Sequence, residues 1–214
     1  AMEDDALKPG GTIVEATAGN TGIGLTLAAN RQNIKTVIFA PEGFSEEKID
    51  IMKALGATVY RTAQSEGMTG AQQAAKAYAT EHDAFYTQQF ETAYNPQAYV
   101  HTLGPELTDA LDHIDYFVAG VGSGGTFTGV AQHLQNFDVK NIIVEPEGSI
   151  LNGGPQHDHD IEGIGSEKWP TFLPKALVDG IKTVSDKAAF DNVKRLAKRE
   201  GLLVGSSSGA ALQG

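Results

Sequence analysis

Short runs of apolar, often β-branched residues alternate with longer helix-like segments along almost the whole chain. This alternation restricts the possible fold more than any other feature. Thr12-Ile13-Val14-Glu15, Thr36-Val37-Ile38-Phe39-Ala40, Thr58-Val59-Tyr60-Arg61, Ala84-Phe85-Tyr86, Tyr116-Phe117-Val118-Ala119, Asn141-Ile142-Ile143-Val144 and Leu202-Leu203-Val204 read as strands. A strand that is apolar at nearly every position has no wet face, so such strands belong in parallel sheets covered by helices on both sides. Helices fit the stretches between them. Ser45 caps one through Leu55, with Glu46 and Glu47 in the first turn, where the helix dipole favours carboxylates, and Gly56 ends it. Others are expected over residues 70–82, over 97–111 with a break near Gly104-Pro105, before Leu134, and over 186–200. Residues 148–175 are rich in glycine and proline and read as irregular, and a segment of that kind is usually functional or mobile. The fold class is therefore α/β with parallel sheets, and a lobe boundary is expected between Phe90 and Pro96.

Composition removes several classes of function. A net charge of −11 repels phosphate backbones, which argues against nucleic-acid binding. Small anions still bind where local N–H groups converge. With no cysteine, the chain has no thiolate nucleophile, disulfide or thiolate metal site. No apolar run approaches the roughly 18 residues of a membrane span. Both ends read as cut: residues 1–7 as the tail of a helix stopping at Pro9-Gly10, and residues 208–214 as a helix barely begun.

Three glycine-rich motifs follow strands, and ligands of open parallel sheets sit beyond the carboxyl ends of strands. The first is Glu15-Ala16-Thr17-Ala18-Gly19-Asn20-Thr21-Gly22-Ile23-Gly24. A helix starting there offers unpaired N–H groups to an anion, with Thr17, Asn20 and Thr21 adding side-chain hydrogen bonds; a capped tight turn is the plainer reading. The second is Gly120-Val121-Gly122-Ser123-Gly124-Gly125-Thr126. It suits a phosphate, but it also matches a dinucleotide fingerprint, with Glu145 twenty residues on as a ribose partner. Spacing alone does not separate the two. The third, Gly205-Ser206-Ser207-Ser208-Gly209-Ala210, sets hydroxyls beside glycines and competes with a simple helix cap. In the irregular segment, Glu162-Gly163-Ile164-Gly165-Ser166 allows a close backbone wall or a hinge.

Taken together these motifs resemble the cysteine synthase and cystathionine β-synthase family, within the tryptophan-synthase-β-like group of pyridoxal-phosphate enzymes. The resemblance extends over Met52-Lys53-Ala54-Leu55-Gly56-Ala57, Gln88-Gln89-Phe90-Glu91 with Asn95-Pro96, and Glu145-Pro146-Glu147-Gly148-Ser149-Ile150-Leu151. It implies a two-lobed fold of type II, truncated at both ends. Residues 1–95 would form a smaller, mobile lobe carrying the asparagine loop, and 96–214 a larger lobe carrying the phosphate loop and the serine that faces the pyridine nitrogen. The implied cofactor is pyridoxal 5′-phosphate. Asn20 would bond its ring hydroxyl oxygen, Gly122, Ser123, Gly124, Gly125 and Thr126 would cradle its phosphate, and Ser207 would face the pyridine nitrogen. Thr17, Ala18, Gly19, Thr21 and Gln89 would hold the substrate carboxylate, and Gly163 and Gly165 would line the substrate side. Ala18 stands where the family usually has serine, so one hydroxyl is lost while the backbone N–H remains.

The resemblance puts the Schiff-base lysine upstream of Ala1. Lys8 belongs to a Lys-Pro-Gly turn and does not fit the role, so no catalytic residue is assigned within the chain and the fragment alone is expected to be inactive. The implied reaction is β-replacement on O-acetylserine or serine. Sulfide, as in a cysteine synthase, is the favoured nucleophile, and homocysteine is the alternative. The implied protein is a cytoplasmic homodimer acting on small molecules, with no nucleic-acid or membrane partner.

Two other classes compete with this one: a nicotinamide-dependent dehydrogenase built on Gly120 to Gly125 and Glu145, and a non-catalytic relative that binds a peptide tail. His157-Asp158-His159-Asp160 reads as a solvated loop rather than a metal site, because no third anchored ligand is in view. Trp169 beside Pro170 reads as a packing anchor.

Overall fold

The structure, a computed structural model, describes residues 6–214. The expected helix tail over residues 1–7 therefore falls mostly outside the described residues; Ala6 and Leu7 form a bend. The chain divides into two compact units, one ending at Gln89 and the other beginning at Phe90.

The first unit is built on a four-stranded, wholly parallel sheet in the order β3-β2-β1-β4. Its strands are β1 (Thr12–Ala16), β2 (Lys35–Pro41), β3 (Thr58–Thr62) and β4 (Phe85–Tyr86), and its helices are α1 (Asn20–Arg31), α2 (Glu46–Ala54) and α3 (Gly67–Glu81). Side chains of a strand alternate between faces, and β2 shows why an unbroken apolar run was needed. Val37 and Phe39 pack with Ala71, Ala75 and Ala79 of α3, whereas Ile38 and Ala40 pack with Ile49 and Met52 of α2. Alanines on α3 let that helix approach the sheet closely. Ser45 caps α2 as expected, its hydroxyl accepting from the Lys48 N–H at 3.5 Å.

The second unit holds a parallel sheet in the order β5-β6-β7. Its strands are β5 (Tyr116–Gly120), β6 (Lys140–Pro146) and β7 (Gly180–Val184). Around them lie α4 (Tyr94–His101), α5 (Leu103–Ala110), α6 (Gly125–His133), α7 (Asp186–Glu200) and α8 (Ser206–Gln213). Adjacent residues of β6 again face opposite ways. Ile143 joins Phe127 and Ala131 of α6, and Val144 joins Ala189 of α7 and Ala210 of α8.

Two local expectations are corrected, and one strand was not anticipated. The helix break falls at Thr102 (φ −123°, ψ −86°), not at Gly104-Pro105. Pro105 lies in the first turn of α5, where its missing N–H would have had no intrahelical acceptor. Residues 202–204 form no strand: no described strand pairs with them, and Leu203 is 91% exposed. Strand β7 was not anticipated, because Gly180 and Lys182 interrupt its apolar pattern; its register beside β6 supplies the signal they hide. The division after Gln89 lies at the near edge of the expected Phe90 to Pro96 range. Asn95 and Pro96 pack against Gly125 and Gly129 of α6, which assigns α4 to the second unit.

Asp179 ties the start of β7 to β6 by accepting from the Asn141 N–H at 2.9 Å. That bond, helped by Lys140, holds the Asp179 carboxyl below its ordinary value of 3.8 against a smaller opposing effect of burial. A depressed carboxylate pKa stabilises the fold above the unfolded-state value, and the stabilisation disappears as pH falls through the folded value. Asp179→Asn is therefore expected to lower the thermal midpoint at neutral pH, with the gap to wild type closing below pH 3.8; a gap unchanged in acid would refute the assignment.

Candidate functional site

In the first unit the site residues cluster beyond the carboxyl end of β1. The chain leaves β1 through Thr17, whose N–H is held by the Phe39 carbonyl at 3.0 Å. Its hydroxyl accepts from the Gly19 N–H at 3.1 Å. Gly19, extended at φ −129°, precedes α1 without any side-chain cap, so the opening N–H groups at Asn20 and Thr21 are directed beyond the helix. Thr21 donates to Gln89 Oε1 at 2.8 Å, and Gln89 Nε2 donates to the Ala16 carbonyl at 2.9 Å. Residues 68 positions apart are thereby joined. The Ala18 methyl is buried with Ile38, Ala40, Ile49 and Met52, so the backbone is what this position offers a ligand. Asn20 is exposed. Lys8 is exposed, and its carbonyl accepts from the Gly11 N–H across the Lys-Pro-Gly turn.

Sequence reading assigned no role to Glu15, which this arrangement depends on. The carboxylate is fully buried and accepts from the Ala16 N–H at 2.7 Å, the Gln89 N–H at 2.9 Å and the Thr87 hydroxyl. Burial pushes its carboxyl above the ordinary 4.5, and the bonds from Thr87, Ala16 and Gln89 oppose that rise. A glutamate at the end of an otherwise apolar buried strand was the available signal, since such a charge needs partners.

In the second unit three of the sequence motifs are tied together. Gly124, left-handed at φ +86°, turns the chain into α6. Ser123 Oγ accepts from the Gly125 N–H at 3.3 Å and from Asn95 Nδ2 at 3.1 Å. The Gly165 N–H donates to the Val121 carbonyl at 2.9 Å, and the Ser166 hydroxyl donates to the Gly122 carbonyl at 3.1 Å. Any Cβ on Gly122 would lie 2.4 Å from the Gly163 carbonyl oxygen, and one on Gly125 would lie 2.0 Å from Asn95 Oδ1. Backbone therefore packs on backbone at Gly122, while at Gly125 the Asn95 carboxamide fills the place of a side chain. At the far end of the run the Glu162 N–H donates to Ser206 Oγ at 3.0 Å, at the opening of α8. Ser207 follows it, half-buried, its hydroxyl without a partner among the described residues.

Glu145, the proposed ribose partner of the dinucleotide reading, is committed elsewhere. It is 1% exposed and accepts from the N–H groups of Leu151 and Asn152 and from the Thr183 hydroxyl, at 2.9, 3.0 and 3.2 Å. Buried and held by those three donors, it is not presented to a ribose, which removes the basis of the dehydrogenase alternative. Trp169 packs on the core of this unit and donates to the Leu173 carbonyl at 2.7 Å. His157 Nδ1 lies 2.8 Å from the Asp158 carbonyl, and among the described residues no group of three or more His, Cys, Asp or Glu is placed to hold a metal.

A glycine cradle whose N–H groups open a helix, with a hydroxyl at Ser123 and another at Thr126, has the donor chemistry of a phosphate-ester site. A family model described as pyridoxal-phosphate dependent enzyme matches residues 1–214. The chain belongs to that family. An O-acetylserine dependent cystathionine beta-synthase of Bacillus subtilis is 52% identical over 99% of this chain and 70% of its own length. A cysteine synthase of Helicobacter pylori is 51% identical over 94% of this chain and 67% of its own. The crystal structure of an O-acetylserine dependent cystathionine beta-synthase from Helicobacter pylori matches with a TM-score of 0.95 at 48% identity, over 99% of this chain and 71% of that one. The fold is accordingly that of type II pyridoxal-phosphate enzymes, an α/β fold of parallel sheets, and the chain is of the cysteine synthase and cystathionine β-synthase type. No helix among the described residues is long and apolar enough to cross a membrane.

Proposed function

We propose that the protein catalyses β-replacement on O-acetylserine with a sulfur nucleophile, sulfide being the favoured one. The observation that carries this is the glycine cradle at Gly122 to Thr126, braced by Gly163 to Ser166, beside a helix that opens with Ser206 and Ser207. Those groups fit a phosphorylated pyridine: Gly122, Ser123, Gly124, Gly125 and Thr126 hold the phosphate and Ser207 meets the ring nitrogen. When bound, the cofactor supplies an electron sink that acidifies the α-carbon of an amino acid. A neutral serine at the nitrogen keeps that sink mild, because a hydroxyl does not hold the nitrogen protonated as a carboxylate would. In the first unit, Asn20 orients the ring hydroxyl oxygen. The substrate carboxylate is received at Thr17, Ala18, Gly19, Thr21 and Gln89, through the Thr17 hydroxyl, the N–H groups of Ala18 and Thr21 and the Gln89 carboxamide, which orients the α-proton and the leaving group. Gly163 and Gly165, with no side chains, leave room for the substrate.

A second reading has homocysteine as the nucleophile. It is favoured by the run Glu145-Pro146-Glu147-Gly148-Ser149-Ile150-Leu151 and by two of the three relatives above. By family likeness the protein works as a cytoplasmic homodimer. The test is to supply holoenzyme that includes the upstream lysine implied by the family resemblance with O-acetylserine and either sulfide or homocysteine, and to quantify cysteine and cystathionine. Release of acetate with formation of either product is expected, and a holoenzyme that makes neither would refute the proposal.

A further inference from the structure

We propose that Glu15 is a positioning residue for the substrate carboxylate: buried at the end of β1, it fixes the backbone of Gln89 and, through the Gln89 carboxamide, the hydroxyl of Thr21. The inference rests on the reading above, in which Gln89 and Thr21 receive that carboxylate.

Three donors converge on Glu15: the Ala16 N–H, the Gln89 N–H and the Thr87 hydroxyl. An ionised carboxylate is the acceptor-only side chain that satisfies all of them. Residues 87 and 89 sit just past the short strand β4, which pairs with β1 only through Ile13 with Phe85 and Val14 with Tyr86. Beyond that pairing the Thr87 N–H still reaches the Val14 carbonyl at 3.0 Å. The chain then turns at Gln88, whose φ of +54° is uncommon for a residue with a side chain. Such a conformation persists where its surroundings hold it. Glu15 supplies that hold on both sides, through Thr87 and through the Gln89 N–H. Once the Gln89 backbone is fixed, its side chain spans from the Ala16 carbonyl to the Thr21 hydroxyl. The carboxamide is thus set relative to both the end of β1 and the first turn of α1. Hydrophobic burial is not what keeps Glu15 here, since an apolar side chain would strand three donors.

The experiment compares holoenzyme carrying Glu15→Gln or Thr87→Val with wild type. It measures kcat and KM for O-acetylserine, the Kd of L-alanine by titration of the cofactor's visible absorbance, cofactor content and Tm. L-Alanine presents the α-carboxylate and amino group without a leaving group. In Glu15→Gln one amide hydrogen faces an N–H, so the Gln89 turn shifts. KM and the L-alanine Kd are expected to rise about tenfold, with kcat within about twofold and cofactor content unchanged. Thr87→Val keeps the carboxylate and loses one donor, and should raise both constants about threefold; it also serves if Glu15→Gln does not fold. Wild-type KM and Kd in both variants, with only Tm lowered, would overturn the positioning role. If wild type itself neither turns over O-acetylserine nor binds L-alanine, the functional reading has failed instead.

Discussion

Holoenzyme carrying Gly122→Ala is expected to lose its hold on pyridoxal phosphate while remaining folded. A Cβ at that position would lie 2.4 Å from the carbonyl oxygen of Gly163, and both atoms belong to short, tethered backbone segments. Gly163 sits at φ +83° and its neighbour Gly165 is bonded to Val121, so the wall has little room to retreat. The relief is a shift of the loop itself, which moves the donors of Ser123 to Thr126 off a bound phosphate. Overpacking of this kind costs about 1–3 kcal/mol, equivalent to a roughly five- to 150-fold weaker cofactor affinity. Gly24→Ala provides the contrast, because its Cβ meets nothing within 4 Å. In a helix that change is worth about 0.5–1 kcal/mol of added stability and should leave the cofactor alone. The readout is the visible absorbance retained after dialysis against cofactor-free buffer. Gly122→Ala that retains cofactor as wild type does would contradict a phosphate role for this loop.

Physics explains which parts of this arrangement could be read from the chain and which could not. Periodicity marks β2 and β6 because both faces of those strands are covered, so apolar residues fill consecutive positions such as Val37 to Ala40. The same criterion passes over β7, where Lys182 and Thr183 are exposed and pairing to β6 alone makes the strand. It also marks residues 202–204 as a strand from composition, when no described neighbour pairs with them. Glycine spacing located the motifs but not their mutual support. That the Glu162 to Ser166 run braces the Gly120 to Thr126 loop depends on contacts such as Ser166 to Gly122, which local spacing does not encode. Buried carboxylates were the largest omission. Glu15 and Glu145 both close apolar strands, and a charge there needs a set of donors from elsewhere in the chain. For Glu145 that set comes from residues 151, 152 and 183, and a ribose assignment based on spacing could not anticipate it.

Glu145→Ala is expected to cost the second unit substantial stability, and to weaken cofactor binding as a consequence. Its carboxylate closes the turn after β6 by accepting from Leu151 and Asn152, and it reaches across to Thr183 on β7. Removing it strands the buried Leu151 N–H and leaves a gap behind Leu151, which packs with Val121 and Phe127. An unpaired buried donor costs about 1–3 kcal/mol, and the lost charge-assisted bonds bring the expected loss to roughly 3 kcal/mol. At about 2–4 °C per kcal/mol for a chain of this size, Tm should fall by about 6–12 °C. The effect should also travel further. Ser149 and Ile150 in the same turn are bonded to Ser166, and Ser166 is bonded to the Gly122 carbonyl. Loosening the turn therefore loosens the wall against which the Gly122 to Thr126 loop rests. Glu145→Gln keeps one acceptor oxygen and the side-chain volume, so it should lose about half as much stability and retain more cofactor. Calorimetry of the two variants with and without added pyridoxal phosphate separates the effects: saturating cofactor should recover part of the lost Tm, because it binds only the folded state. Equal Tm for wild type and Glu145→Ala would show that the turn stands without its buried carboxylate.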